Sequence, residues 1–312
     1  MQQFYGLQDV SVQGAWLTIG SFDGVHLGHQ QIIHQITAGA RASGAPAVVL
    51  TFHPHPSMVL RGPRESFYLT TQEQKAALLE ALGVDILITH PFNREVSSIR
   101  ARDFVDQLDA HLNIQQLWVG HDFALGHDRE GSFPVLEGYG QELGFHVQAV
   151  DAFRIDGEVV SSSRIRGYLE TGQVDQAAKM LGRPYSLRGL VEKGDGRGHK
   201  IGIPTANLAI PKEVAVPAAG VYAVWVKRGD KMYRGVSNIG VRPTFETQST
   251  VPNVEAHILD FDRDIYGEEI ELAFVAHLRD ERRFPSVEAL VAQIRADIAQ
   301  AESIFIDQEV GT

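Results

Sequence analysis

The apolar run Ala15-Trp16-Leu17-Thr18-Ile19 passes directly into Gly20-Ser21-Phe22-Asp23-Gly24-Val25-His26-Leu27-Gly28-His29, and then into Gln30 to Ala42, whose apolar residues recur at 32, 33 and 36. A short apolar run closed by glycine reads as a buried strand, and the later spacing reads as a helix. The decapeptide is therefore a strand-to-helix turn, which commits this part of the chain to an α/β architecture. In open α/β sheets ligands bind outside the carboxyl ends of the strands. The start of a helix offers unpaired N–H groups and partial positive charge, which suit phosphate. Gly28 removes a side chain that would hold a ligand off the backbone. Two histidines three apart also fit helix caps or a metal pair. No acidic or histidine ligand lies at a companion spacing, and the full glycine-rich string favours a nucleotide triphosphate. The candidate site residues of this turn are Gly20, Phe22, Asp23, His26, Gly28 and His29.

The same alternation continues through the first half. Residues 15–19, 47–51, 85–89, 116–120 and 145–150 read as short buried strands, with helical patterns at 30–42, 72–82 and 101–112 between them. Such alternation implies βαβ units and a mostly parallel, doubly wound (Rossmann-like) sheet. Residues 162–181 then read as helical. After Gly182-Arg183-Pro184 the character changes: 185–193, 221–227, 232–239, 253–261 and 269–278 are β-rich and separated by Gly, Pro and Asp turns. That pattern suits an antiparallel barrel or sandwich, closed by one helix over 286–306 with Ser286 as N-cap. The expected division is 1–183 and 184–312, in keeping with a length of 312 residues, beyond the usual size of a single core.

Composition narrows the function classes. A net charge of −11 opposes broad binding to nucleic acid or an anionic membrane, while leaving room for a local phosphate site. The absence of cysteine excludes disulfides, thiolate metal sites and cysteine nucleophiles. Met1 to Val10 lacks a basic stretch followed by an apolar core, and no apolar run approaches the roughly 20 residues of a membrane span, so a cytoplasmic protein is expected.

Three further segments of the first half carry chemistry. Thr51-Phe52-His53-Pro54-His55-Pro56 ends a strand, and its prolines suggest a rigid loop. Val119-Gly120-His121-Asp122-Phe123-Ala124-Leu125-Gly126 follows another strand and offers Asp122 as a ligand contact, or as an ordinary cap. Val160-Ser161-Ser162-Ser163-Arg164-Ile165-Arg166 opens a helix, where Ser162 and Ser163 can cap it and Arg166 can reach a phosphate with its planar fork. Together with the His-x-Gly-His turn, these segments resemble the nucleotidyltransferase superfamily in the form seen in FAD synthetases. The resemblance implies that His26 and His29 hold ATP phosphates and stabilise the transition state of adenylyl transfer. His53, Leu125 and Ser163 stand where the family usually has an acid, Phe and Thr.

In the second half, Gly194, Gly196, Gly198 and Gly202 punctuate a loop whose amides can wrap phosphates, and the loop ends in Gly202-Ile203-Pro204-Thr205-Ala206-Asn207. Thr205 and Asn207 are hard oxygen donors two apart, hence on one side of a strand, an arrangement that suits Mg²⁺. This run resembles the riboflavin kinase signature, as do Gly220-Val221-Tyr222-Ala223, Asn238 to Phe245, Val254-Glu255-Ala256-His257 and Leu278-Arg279-Asp280-Glu281. The resemblance implies metal and ATP contacts by Thr205 and Asn207, and a general base in Glu255. From position alone Glu255 also fits a solvent-facing strand residue. His199 takes the place of the family's usual Arg, with Arg197 two residues earlier. The two resemblances imply a two-step conversion of riboflavin to FMN and of FMN to FAD, with ATP, riboflavin and FMN as small-molecule partners. A flavin-binding barrel without kinase activity, and a non-catalytic flavin or nucleotide sensor, are the alternatives.

Overall fold

The computed structural model describes residues 1–194, 196, 198, 201–243 and 250–310. Asp195, Arg197, His199, Lys200, Thr244 and Phe245, all in segments quoted above, lie outside the described residues. The chain forms two compact units, Met1–Arg64 with Tyr68–Ser162, and Glu65–Phe67 with Ser163–Thr312.

The first unit holds a six-stranded sheet of β1 (Gln2–Phe4), β2 (Trp16–Ile19), β3 (Ala47–His53), β4 (Ile86–Pro91), β5 (Gln116–Gly120) and β8 (His146–Val150). Their order is β1-β4-β3-β2-β5-β8, and each pairing is parallel. Helices α1 (Leu27–Ser43), α2 (Pro56–Leu60), α3 (Gln72–Ala81), α4 (Arg94–Ser97), α5 (Ala101–Leu112) and α6 (Phe133–Leu143) connect them, with small hairpins β6 (Ala124–Leu125)–β7 (Gly131–Ser132) and β9 (Arg154–Ile155)–β10 (Glu158–Val159). Successive strand residues feed different cores. Val48 and Leu50 pack with Phe104, Leu108 and Leu136, whereas Val49 packs with Ile33, Ile36 and Leu79. This two-sided burial is why the strands read as continuous apolar runs. All five expected strands are present, their ends moved by at most two residues. The edge strand β1 carries exposed Gln2 and Gln3 and so has no hydrophobic signature. The segment at 51–56 is not wholly a loop: β3 runs to His53 and Pro56 opens α2, the helical position where proline's missing N–H costs nothing.

The second unit contains α7 (Ser162–Glu170, from its second residue), α8 (Val174–Leu181) and a closed antiparallel barrel. The helical stretch expected at 162–181 is formed by these two helices, parted at Gly172, whose φ of 73° glycine adopts readily. The barrel strands are β11 (Tyr185–Glu192), β12 (Ala206–Ala209), β13 (Gly220–Arg228), β14 (Lys231–Pro243), β15 (Thr250–Ile258) and β16 (Glu269–Arg279), arranged β11-β12-β15-β14-β13-β16. Strict alternation along β11 puts Tyr185, Leu187 and Val191 inside, where Tyr185 and Tyr222 meet Phe274. Helix α9 (Val287–Val310) covers one outer face with Ala301 and Phe305 against Val221, Ala223 and Val236. Ser286 caps it, Oγ accepting from Ala289 N at 3.2 Å, and the Arg279–Asp297 ion pair at 2.9 Å ties it to β16.

Candidate functional site

In the first unit β2 sits where strand order reverses, with β3 and β4 on one side and β5 and β8 on the other. Residues 20–26 leave its carboxyl end, at the crevice where such sheets bind ligands. The turn is strained: Phe22 and Val25 have φ of 46° and 41°, unusual for residues with a Cβ and most costly for a β-branched one. Surrounding groups hold it. Ser21 O accepts from Thr51 Oγ1 at 3.0 Å and from Lys75 Nζ at 2.9 Å. Asp23, only 1% exposed, accepts from Leu69 N through Oδ1 at 2.9 Å, and Gly24 N donates to Thr70 Oγ1 at 3.3 Å. The Asp23 carboxylate therefore faces a backbone amide and latches the turn to the segment before α3. Gly20 backs onto the Phe22 ring, where a Cβ would lie 3.1 Å from it.

The histidines occupy the first turn of α1. His26 is its N-cap, Nδ1 accepting from His29 N at 3.3 Å. An accepting Nδ1 puts the proton of neutral His26 on Nε2, a donor suited to a phosphate oxygen. The two rings stack at 3.6 Å and 16°, and Phe22 meets His29 edge-on at 5.1 Å. A Cβ on Gly28 would lie 3.3 Å from the His26 ring, so glycine lets the imidazole lie along the helix start. His29 Nδ1 is buried with no hydrogen-bond partner among the described residues. Burial, then the charges of His26 and Lys75, push the His29 pKa well below 6.5. Two stacked imidazoliums would repel, so the folded chain holds His29 neutral. The unfolded chain takes up a proton below pH 6.5 that the folded chain refuses, so this contribution to stability is complete above 6.5 and lost as pH falls. Melting temperatures from pH 7.5 to 5.5 are expected to fall less steeply for His29→Asn than for the parent; equal slopes would contradict a neutral His29.

Asp122 is exposed just beyond β5, the strand beside β2, and its carbonyl accepts from Arg129 Nη2 at 2.7 Å. Ser162 Oγ donates to Asp23 O at 2.9 Å, which brings Ser162 to the turn that carries His26 and His29, while Asp122 follows the neighbouring strand. Ser163 and Arg166 belong to the second unit, where the Arg166 guanidinium lies 4.3 Å from the Phe67 ring centre and donates to Phe67 O at 3.3 Å. Lys75 was not legible as a site residue, although its place four before Leu79 on the apolar face of α3 is a signal. A Thr71–Gln74 capping box starts that helix and so sets the face on which Lys75 falls.

In the barrel, Asn207, Glu255 and Asn238 lie side by side on β12, β15 and β14. Thr205 Oγ1 donates to Glu255 Oε2 at 3.3 Å, and Asn253 Nδ2 donates to Oε1 at 2.7 Å. Both carboxylate oxygens are thereby oriented, and Glu255 is half-buried rather than a solvent-facing strand residue. Asn253, two before Glu255 and hence on its face, was not singled out from sequence. The Gly194 backbone passes so close to Asn207 that a Cβ would lie 2.2 Å from its amide nitrogen. Gly196 and Gly202 adopt φ of 65° and 75° with open space around them.

Comparison with known proteins decides between folds of this type. Residues 9–164 match the FAD synthetase family model and residues 181–305 the riboflavin kinase model. A bifunctional riboflavin kinase/FMN adenylyltransferase of Listeria monocytogenes is 37% identical over 294 residues, 94% of this chain and 93% of that one. The chain belongs to the bifunctional riboflavin kinase/FMN adenylyltransferase family. The member from Pseudomonas fluorescens is 38% identical over 97% of this chain and 98% of its own, and that from Escherichia coli K12 is 36% identical over 96% of each. A solved structure described as a macrolide-efflux protein from Streptococcus pneumoniae superposes with a TM-score of 0.88 at 30% identity, over 96% of this chain and 98% of that chain. Efflux is said of that protein; among the described residues here, no helix is long and apolar enough to cross a membrane.

Proposed function

We propose that this chain makes FAD in two steps, phosphorylating riboflavin with ATP in the barrel and then transferring an adenylyl group from a second ATP to FMN at the His26–His29 turn. The functional boundary is placed at 183/184, close to residue 181, where the segment matching the riboflavin kinase model begins, and both steps in the cytoplasm. The observation that carries the reading is the pairing of two reactive constellations, one per unit, in a chain that aligns end to end with relatives of that double activity.

In the first step the ribityl hydroxyl attacks the γ-phosphorus, Glu255 accepts its proton and ADP leaves. Thr205 and Asn253 hold the carboxylate ready for that transfer. In the second step an FMN phosphate oxygen attacks the α-phosphorus of ATP and pyrophosphate leaves, which requires no protein nucleophile. His26 Nε2–H and the neutral His29 ring meet the charge that gathers on the transferred phosphoryl, with Gly28 and the α1 N-terminus beside them. Asp122, Ser162, Ser163, Arg166 and the glycines at 194, 196 and 202 are assigned to nucleotide binding.

The donor chemistry of the barrel fits Mg²⁺. Among the described residues no group of three or more His, Cys, Asp or Glu can cage a metal, whereas Thr205 and Asn207 are hard oxygen donors. Magnesium characteristically takes a few protein oxygens and completes its shell with phosphates and water. Thr205 and Asn207 would hold the ion, and when bound it neutralises phosphate charge. Incubation with riboflavin, ATP and Mg²⁺, followed by separation of the flavins, is expected to yield FMN and then FAD, with both products lost in EDTA and regained on adding Mg²⁺. FAD formed only when FMN is supplied would support the kinase-less barrel, and no turnover would support the sensor.

A further inference from the structure

Lys75 is a buried cation that the reaction scheme above leaves without a task. Its side chain is 2% exposed, and its Nζ lies under the strained turn, 2.9 Å from Ser21 O and 3.5 Å from Thr51 Oγ1. The ammonium has three N–H groups for these two acceptors. Lys75 is also not needed to satisfy the turn, because Thr51 Oγ1 already donates to Ser21 O. Burying a charged amine is costly, and the Lys75 pKa falls to about 8 through that burial, against the opposing pull of Asp23. A methionine of similar length would fill the space without that cost, so stability alone does not account for a lysine here.

We propose that Lys75 is a positioning residue for adenylyl transfer, acting through the Ser21 carbonyl and through His29. The inference rests on the assignment of that step to the His26–His29 turn. The groups that share charge with His29 are His26 on the same helix, Lys75 on α3 and, through Lys75, Asp23 in the turn. Positive charge behind the turn disfavours a proton on His29 and leaves its ring a neutral partner for the transferred phosphoryl. It also lowers the energy of the anionic transition state through space, in a site where the field is weakly screened. The Ser21 contact, spanning 54 residues of sequence, places the ammonium at the first residues of the turn that leads from β2 to His26 and His29.

The test compares the parent with Lys75→Met, Lys75→Arg and His29→Ala, following FMN-to-FAD conversion from pH 5.5 to 9 beside riboflavin phosphorylation and thermal melting. Lys75→Met is expected to lower kcat for FAD formation at least tenfold with KM for FMN within twofold. Its acid limb should move to higher pH, because His29 loses its cationic neighbour. Lys75→Arg, which keeps the charge, should return that limb to the parental position. Phosphorylation should stay unchanged and the melting temperature should not fall. A parental kcat, an unmoved acid limb, or a lower melting temperature for Lys75→Met would each overturn the inference; the last would mean that Lys75 merely props the fold. His29→Ala keeps the two levels apart. If it still makes FAD at the parental rate, the assignment of the step to the turn is wrong; if it is inactive while Lys75→Met is normal, only the role of Lys75 is lost.

Discussion

Replacing His29 with alanine is expected to halt FAD formation while riboflavin phosphorylation continues, so that FMN accumulates. Loss of one preorganised partner for developing charge typically slows a reaction by about 10²- to 10³-fold. His29 is well placed for such an effect: it stacks on His26 at 3.6 Å, is braced by Phe22, and its backbone N–H completes the cap through which His26 is oriented. That cap uses the backbone of residue 29, so alanine preserves it and the substitution removes the ring alone. Flavin chromatography over a time course reads the result directly. Continued FAD production at the parental rate would remove the turn from the mechanism.

Glu255→Gln is expected to do the reverse, suppressing FMN formation while supplied FMN is still converted to FAD. General-base catalysis contributes roughly 10²- to 10⁴-fold, and an amide cannot accept the ribityl proton at neutral pH. Glutamine keeps the volume of the side chain and an oxygen for Thr205 or Asn253, so the barrel should remain folded. If either substitution abolished both steps in a protein with an unchanged melting profile, two independent sites would be the wrong description.

Much of this architecture is legible residue by residue. The strands 47–53 and 86–91 announce themselves because they are buried on both faces, and α1 because its glycine-rich entry and apolar spacing are local signals. The His-x-Gly-His turn and the Pro-Thr-Ala-Asn segment are likewise contiguous, so the chemistry they carry can be read without a fold. What escaped has a common physical cause. Edge strand β1 is polar and short; Asn253 has meaning only through a carboxylate two residues away; and Lys75 looks like an ordinary solvated lysine until α3 is docked. Asp23 shows the same limit from the other direction. Beside two histidines it reads as part of a ligand site, and only the fold adds that its Oδ1 also accepts from Leu69 N, 46 residues away.

The amino-acid sequence by itself determined that there are two units, a wound parallel sheet and a β-rich partner, and that the histidine pair lies at a strand-to-helix turn. These are consequences of periodicity and of glycine and proline placement, which act over a few residues. Only the tertiary structure decided the charge environment of that turn and the orientation of Glu255. Both depend on groups brought together by strand register and helix docking, Lys75 with Ser21 across 54 residues and Thr205 with Glu255 across 50. Electrostatic effects follow distance and burial in space, and neither is encoded by spacing along the chain.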